Sequence, residues 1–232
     1  MNYLEESEEP FHSELSGNES FRVFRAVIPP GAETLYHRHS QDGIVVVIEG
    51  GRQATAVIGP SRTRRFMFPG PWGAFRKLTA GVDGILTGFM PFSSGEFFAT
   101  MYRGYPIVHK VTASPRNSSA LILMDIQVLP LAAASSKAPR EALRGARKRL
   151  VTDRFAASQA IMAPGAGAFH FGAEAPTLVL SLDGGLFMAG SAGRADLPAA
   201  LGKGQFRLFK SGERLELRCV SGQPSRALFL IV

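Results

Sequence analysis

The sequence predicts an all-β protein built from two tandem copies of one domain, and three observations support this fold class. The 232 residues include 25 glycines and 15 prolines, which separate short β-branched segments as turns separate strands. The composition, 45% hydrophobic and 19% charged, is that of a globular chain with a buried core. An internal repeat is also present: residues 36–51, YHRHSQDGIVVVIEGG, align without a gap with residues 170–185, HFGAEAPTLVLSLDGG.

The repeat extends beyond these two segments. A Pro-Gly turn precedes each of them, at Pro30-Gly31 and at Pro164-Gly165. Residues 95–126 also align with residues 204–232, with small gaps. Repetition of this kind indicates two copies of one structural unit, and the frequent short strands indicate a sandwich or small barrel in each copy.

Charged segments lie outside the two copies. Residues 1–20 contain six acidic residues and no lysine or arginine, which predicts a flexible acidic arm. Residues 137–149, KAPREALRGARKR, contain six basic residues and one acid, and Pro139 is placed to begin a helix. The predicted organisation is therefore as follows: an arm at 1–20, a first domain at 21–130, a basic linker helix at 131–152 and a second domain at 153–232.

The same features limit the partners and the compartment. The basic segment has no accompanying helix-turn-helix, zinc-finger or RNA-binding signature, which argues against a nucleic-acid partner. No apolar run reaches the roughly 18 to 20 residues of a membrane span, and the acidic beginning does not resemble a signal peptide. With Cys219 as its single cysteine, the chain cannot form an internal disulfide, so a cytoplasmic protein is predicted. The arm and the linker could pair in a homodimer, and the composition permits a monomer equally.

A His-x-His pair is the main chemical feature. In a strand, alternate side chains face the same side, so His37 and His39 project into one cavity while Arg38 points away. A third imidazole from a neighbouring strand would complete a set of three neutral nitrogen ligands. Such a set suits iron, zinc, nickel or copper better than magnesium or calcium.

These residues carry a resemblance. The stretch from Gly31 to Gly50, with a glycine, five residues, His-x-His and a closing Glu-Gly, resembles the first signature of the cupin superfamily. The segment YPIVHK, which contains His109, resembles the second signature. The resemblance implies a two-domain cupin: two tandem cupin-type jelly-roll β-barrels joined by a short basic helical linker. It also implies a divalent transition metal held by His37, His39 and His109 in the first barrel.

One position departs from the cupin pattern, and the second signature has two candidates. Gly43 stands where the cupin signature has glutamate, and the neighbouring Asp42 is out of phase with the two histidines unless a bulge intervenes. Whether Asp42 replaces the missing carboxylate is open. Arg76 follows a second proline-glycine pattern at PWGAFR and competes with His109 for the second signature. The internal repeat favours His109.

The second copy has lost the predicted ligands. Phe171 and Ala173 align with His37 and His39, and Leu215 aligns with His109. The second domain is therefore predicted to be degenerate and to have no metal site.

The resemblance implies a function as well. Cupin dioxygenases bind a chelating substrate at iron, which favours a metal-dependent, dioxygenase-type enzyme acting on a small oxygen-chelating or anionic molecule. The alternative is a non-catalytic cupin that binds or senses a small molecule, because the carboxylate position is Gly43. The sequence contains no nucleophile elbow, P-loop or dinucleotide fingerprint, which argues against those enzyme classes. It leaves the substrate, the metal and catalysis itself open.

Overall fold

The computed structural model describes residues 2–58, 66–67, 89–130, 148–166, 169–173, 175–183, 187–191 and 199–232. The chain divides into two compact units, Met1–Leu129 (unit 1) and Pro130–Val232 (unit 2). Among the described residues, the elements of two or more residues are strands and a 3-10 helix at Glu6–Glu8. The predicted all-β class is therefore confirmed.

The described residues of unit 1 form two sheets. Its strands are β1 (Leu4–Glu5), β2 (His12–Gly17), β3 (Phe21–Ile28), β4 (His37–His39), β5 (Gly43–Glu49), β6 (Gly51–Ile58), β7 (Phe66–Met67), β8 (Met90–Phe92), β9 (Phe97–Thr100), β10 (Ile107–Ala113) and β11 (Leu121–Val128). One sheet has the order β1-β4-β10-β6-β8, and the other has the order β2-β3-β11-β5-β9-β7. Since consecutive strands often lie in different sheets, residues far apart in sequence become neighbours.

The core of unit 1 joins its two sheets. Val111 and Ala113 of β10 pack in one buried cluster with Ile28 of β3 and Leu121 of β11. β11 lies between β3 and β5 and is almost entirely buried, as expected for a central strand. Within this apolar strand, Asp125 and Gln127 are buried polar residues two positions apart. They therefore project from the same face of the sheet.

Unit 2 also contains two sheets. Its strands are β12 (Lys148–Val151), β13 (Ala156–Met162), β14 (Phe169–Gly172), β15 (Thr177–Ser181), β16 (Phe187–Ser191), β17 (Ala199–Leu201), β18 (Phe206–Phe209), β19 (Arg214–Cys219) and β20 (Ser225–Ile231). The sheet orders are β12-β13-β20-β15-β18 and β14-β19-β16-β17. Buried apolar residues from both sheets, among them Leu217 and Phe229, form one cluster.

Strand register repeats between the units at the aligned positions. In unit 1, His109 of β10 pairs with His37 of β4. In unit 2, Leu215 of β19 pairs with Phe171 of β14. The pairing that brings two histidines together in unit 1 therefore recurs in unit 2 between two apolar residues.

Two sequence expectations need correction. The first twenty residues are not a flexible arm: β1 pairs with β4, β2 pairs with β3, and Glu6 and Glu9 are buried. The acidic side chains have partners inside unit 1, which an acidic composition alone does not reveal. The prediction of a linker helix is wrong at the C-terminal end of the linker, because residues 148–151 form β12 and pair with β13. Residues 131–147, like Arg76, lie outside the described residues.

Within the described residues, no helix is long and apolar enough to span a membrane.

Candidate metal centre

Strand pairing brings the three predicted histidines together. β4 carries His37 and His39 on one face, and the antiparallel β10 places His109 directly opposite His37. The three rings form a nearly equilateral triangle, because each pair of ring centroids is 4.8 Å apart. His37 and His39 are buried, with 0% and 6% of their surface exposed.

One nitrogen of each ring is buried and has no hydrogen-bond partner among the described residues: His37 Nε2, His39 Nε2 and His109 Nδ1. The other nitrogen of His37, Nδ1, lies 2.9 Å from the Leu35 carbonyl oxygen. That nitrogen must donate its hydrogen to the carbonyl, which leaves a lone pair on Nε2. A buried polar atom without a partner lowers the free energy of unfolding by about 1 to 3 kcal/mol. Three such atoms in one place are therefore best explained by a ligand that all three bind.

The donor set fits a metal ion. One ligand atom from each of the three histidines lies within 4.8 Å of the others. Burial lowers the pKa of His37 from 6.5 to about 4 and lowers that of His109 well below its ordinary value. Both rings are therefore neutral at pH 7, which is the form that binds metal.

Two carboxylates hold the outer nitrogen of His39. Glu6 Oε2 lies 3.0 Å from His39 Nδ1, and Asp125 Oδ2 lies 3.1 Å from the same atom. Gln127 Nε2 donates to Glu6 Oε2 at 2.6 Å. Together with His39, the two carboxylates form a second group of candidate metal ligands, which shares His39 with the first.

These contacts determine the charges around His39. Burial opposes ionisation of Glu6, but the charge and hydrogen bond of His39 outweigh it and lower the pKa of Glu6 to about 2. Burial and the neighbouring Glu6 raise the pKa of Asp125 to about 6. Burial alone would lower the pKa of His39, but the two carboxylates raise it to about 10. In the absence of an ion, His39 is thus the positive member of the cluster.

A fourth histidine lies beside the triangle. The His12 ring is 4.7 Å from that of His37, and its Nδ1 is 2.5 Å from Glu9 Oε2. Glu9 also accepts the backbone N–H groups of Phe11 and Leu35. Four of the five histidines of the chain therefore lie in one cluster.

The position of the expected cupin carboxylate is closed to a side chain. A Cβ on Gly43 would lie 2.3 Å from the Ile126 carbonyl oxygen. Asp42 is buried, and its Oδ1 accepts the Arg103 N–H at 2.7 Å. Among the described residues, neither candidate ligand group includes Asp42. The carboxylates that contact His39 come from Glu6 and Asp125 instead.

Sequence reasoning missed Glu6, Glu9, His12 and Asp125. A signal was present for the first three, because they follow one another at intervals of three residues in an acidic segment that has no nearby basic partner. Asp125 is a single charged residue within the apolar run LILMDIQV. A charge in the middle of a buried strand indicates a specific partner.

Unit 2 offers no such group among its described residues. Both candidate groups lie in unit 1. His170 of β14 is exposed, and Thr177, which aligns with Gly43, is buried and donates its hydroxyl to the Ala175 carbonyl.

No protein-family model matches the sequence, and no curated protein matches it. Several solved structures share its fold. A cupin 2 conserved barrel domain protein from Leptotrichia buccalis is 13% identical, covers 98% of this chain and 90% of its own, and has a TM-score of 0.51. Vicilin from Corylus avellana (hazelnut) is 13% identical over 94% of this chain and 76% of its own, with a TM-score of 0.55.

An oxalate decarboxylase from Bacillus subtilis, a protein with Mn(II) centres, is also similar. It is 11% identical, covers 92% of this chain and 69% of its own, and has a TM-score of 0.50. At these identities, the similarity concerns the fold.

Proposed function

The chain has the cupin fold, and from this premise we propose that it is a metal-dependent protein whose ion is held by His37, His39 and His109. The observation that carries the proposal is the set of three buried ring nitrogens without a partner, one on each of these histidines. Iron, zinc, nickel and copper suit the three nitrogen donors. Manganese joins them, because it occupies the centres of the B. subtilis oxalate decarboxylase.

We further propose that the ligand is a small oxygen-chelating or anionic molecule. Three neutral imidazoles leave the two positive charges of a divalent ion intact, and when bound the ion supplies Lewis acidity toward an oxygen ligand. Oxalate, named for the B. subtilis relative, is a molecule of this class. The proposed reaction class is a dioxygenase-type oxidation.

Unit 2 has a different proposed role. The strand pair that carries His37 and His109 in unit 1 carries Phe171 and Leu215 in unit 2. We propose that residues 153–232 form a metal-free domain whose role is structural.

The metal content of the purified protein tests the proposal. Elemental mass spectrometry is expected to find close to one transition-metal ion per chain, and His37→Ala and His109→Ala are expected to lose it. His170→Ala is the matched control, because it removes an exposed histidine of unit 2, and it should keep the metal. If metal stays absent after reconstitution, or is retained in both unit 1 variants, the proposal is wrong.

Catalysis is tested separately from binding. The metal-loaded protein is incubated with diols, diketones or oxalate, and oxygen consumption and product formation are measured. If the protein is a dioxygenase, it consumes oxygen in the presence of one of these compounds, and the consumption stops when a chelator is added. If a compound raises the melting temperature without being turned over, the result would instead support a non-catalytic binding protein.

A further inference from the structure

We propose that the N-terminal segment, residues 4–12, is part of the metal centre, and that Glu6 is a positioning residue for His39. This inference rests on the metal site of the proposed function. It concerns residues that lie outside both cupin signatures and supply none of the three proposed ligands.

The first argument is the contact between Glu6 and His39. Glu6 is 3% exposed, and its Oε2 lies 3.0 Å from His39 Nδ1. In the neutral form of the ring, which is the form that binds metal, a carboxylate at this nitrogen keeps the hydrogen on Nδ1 and leaves the lone pair on Nε2. Carboxylates that bind the outer nitrogen of a ligand histidine fix its ring and increase its affinity for metal.

The second argument is charge. A divalent ion held by three neutral imidazoles brings two positive charges into a buried region. Glu6 and Asp125, both beside His39 Nδ1, are two buried carboxylates that can offset this charge. They take over a task that a glutamate at position 43 would perform, where the backbone of β11 leaves no room for a side chain.

The third argument is that the segment also supports His37. The Leu35 carbonyl accepts the hydrogen of His37 Nδ1, and the Leu35 N–H donates to Glu9 Oε1. Glu9 therefore holds the backbone of Leu35, the residue whose carbonyl orients His37.

The backbone of the segment is attached directly to the ligand strand. β1 pairs in parallel with β4, with Leu4 opposite His37 and Glu5 opposite Arg38. The Leu4 N–H donates to the Tyr36 carbonyl, and Glu5 forms an ion pair with Arg38. Contacts on both the backbone and the side chains thus connect residues 4–12 to the proposed ligands.

The test measures Co(II) affinity in the full chain by competition with a chelator, together with the visible absorption of bound Co(II). Glu6→Gln removes the charge at nearly constant size and is expected to weaken Co(II) binding 10- to 100-fold, as is typical when an outer-shell partner is lost. It should also change the Co(II) spectrum, because the His39 ring is no longer held. Glu6→Asp keeps the charge and is expected to recover part of the affinity.

Glu14→Gln is the matched control. Glu14 lies on β2, outside residues 4–12, and its exposed carboxylate forms an ion pair with Arg22 at the surface. The Co(II) affinity of this variant should stay within twofold of that of the unmodified protein, and its Co(II) spectrum should be unchanged. If Glu6→Gln binds Co(II) with unchanged affinity and spectrum, the positioning role is wrong while the metal site stands. If the unmodified protein binds no Co(II), the proposed function and this inference both fail.

Amide hydrogen exchange on the unmodified protein gives a second measurement that requires no variant. Co(II) is expected to slow exchange at the N–H groups of Leu4 and Leu35, which connect the segment to the strand and to Glu9. If Co(II) binds and leaves exchange at both groups unchanged, the segment is not part of the metal centre, even if Glu6→Gln cannot be produced in folded form.

Discussion

Gly43 and Ile126 approach each other so closely that a Cβ on Gly43 would lie 2.3 Å from the Ile126 carbonyl oxygen. Gly43 pairs with Gln127 across β5 and β11, so the obstacle is backbone and not a movable side chain. This contact leaves no room at position 43 for the glutamate of the cupin pattern.

The first prediction follows from this contact. Gly43→Ala is expected to destabilise unit 1 by about 2 kcal/mol, because overpacking against a fixed neighbour costs roughly 1 to 3 kcal/mol. Urea denaturation measures the change in the free energy of unfolding. Gly104→Ala is the control, since a Cβ there meets no atom within 4 Å, and it should change stability little. Equal stability of the two variants would contradict the close approach.

The second prediction concerns Glu9. Its carboxylate accepts two backbone N–H groups and contacts His12, and it is 1% exposed. Glu9→Gln replaces one acceptor oxygen with a donor, so at least one buried partner loses its hydrogen bond. A loss of about 1 to 3 kcal/mol of unfolding free energy is expected.

Glu14→Gln is the comparison for Glu9. Glu14 pairs with Arg22 at the surface, where ion pairs contribute at most about 1 kcal/mol. Denaturation of both variants should therefore show the larger loss for Glu9→Gln. A larger loss for Glu14→Gln would show that the buried contacts of Glu9 do not stabilise unit 1.

The third prediction concerns metal removal. An ion that binds only the folded state stabilises it by about 2.7 kcal/mol when its free concentration is a hundred times the dissociation constant. Chelation is therefore expected to speed amide exchange in β10 and β11 of unit 1. Exchange in β20 of unit 2 serves as the internal reference and should change less. A uniform effect on all three strands, or none at all, would contradict a site confined to unit 1.

The fourth prediction concerns pH and unit 2. Asp183 accepts hydrogen bonds from the Arg226 guanidinium and from the Arg226 backbone N–H, and these contacts hold the pKa of Asp183 below its usual 3.8. A carboxylate with a lowered pKa in the folded state contributes its stability above pH 3.8, and that stability is lost as the pH falls further.

Asp183→Asn should therefore be less stable than the unmodified protein at pH 7, by about 1 kcal/mol for this partly exposed pair. The difference should shrink below pH 3.8. Denaturation curves of both proteins at pH 7 and pH 3 measure it. A difference that is the same at both pH values would show that the charge of Asp183 is not responsible.

The sequence was enough to place the three proposed ligand histidines together, but it did not predict the residues that contact them. His37 and His39 share a strand, so the two-residue period of a strand is enough to place them together. The pairing of His109 with His37 follows from the repeat and from the second cupin signature. No spacing rule connects Glu6 with Asp125, because Glu6 lies in the 3-10 helix between β1 and β2 and Asp125 lies on β11, so that they meet only in the folded unit.

The wrong prediction of a flexible N-terminal arm has a physical reason. An acidic run without basic neighbours resembles a solvated tail when its partners are unknown. Here the partners of Glu6 and Glu9 are histidines, a glutamine and backbone N–H groups, which composition and charge counts do not register.

The hydrogen bond between Glu6 and Gln127 joins residues 121 positions apart, which has a consequence for biosynthesis. Residues 4–12 are translated before β11, and their buried partners on β11 are among the last residues of unit 1 to be made. The acidic segment therefore cannot form its contacts with β11 until nearly all of unit 1 has been translated. Contacts of such long sequence separation form late and slowly, so we expect closure of the centre to be among the final folding steps of this unit.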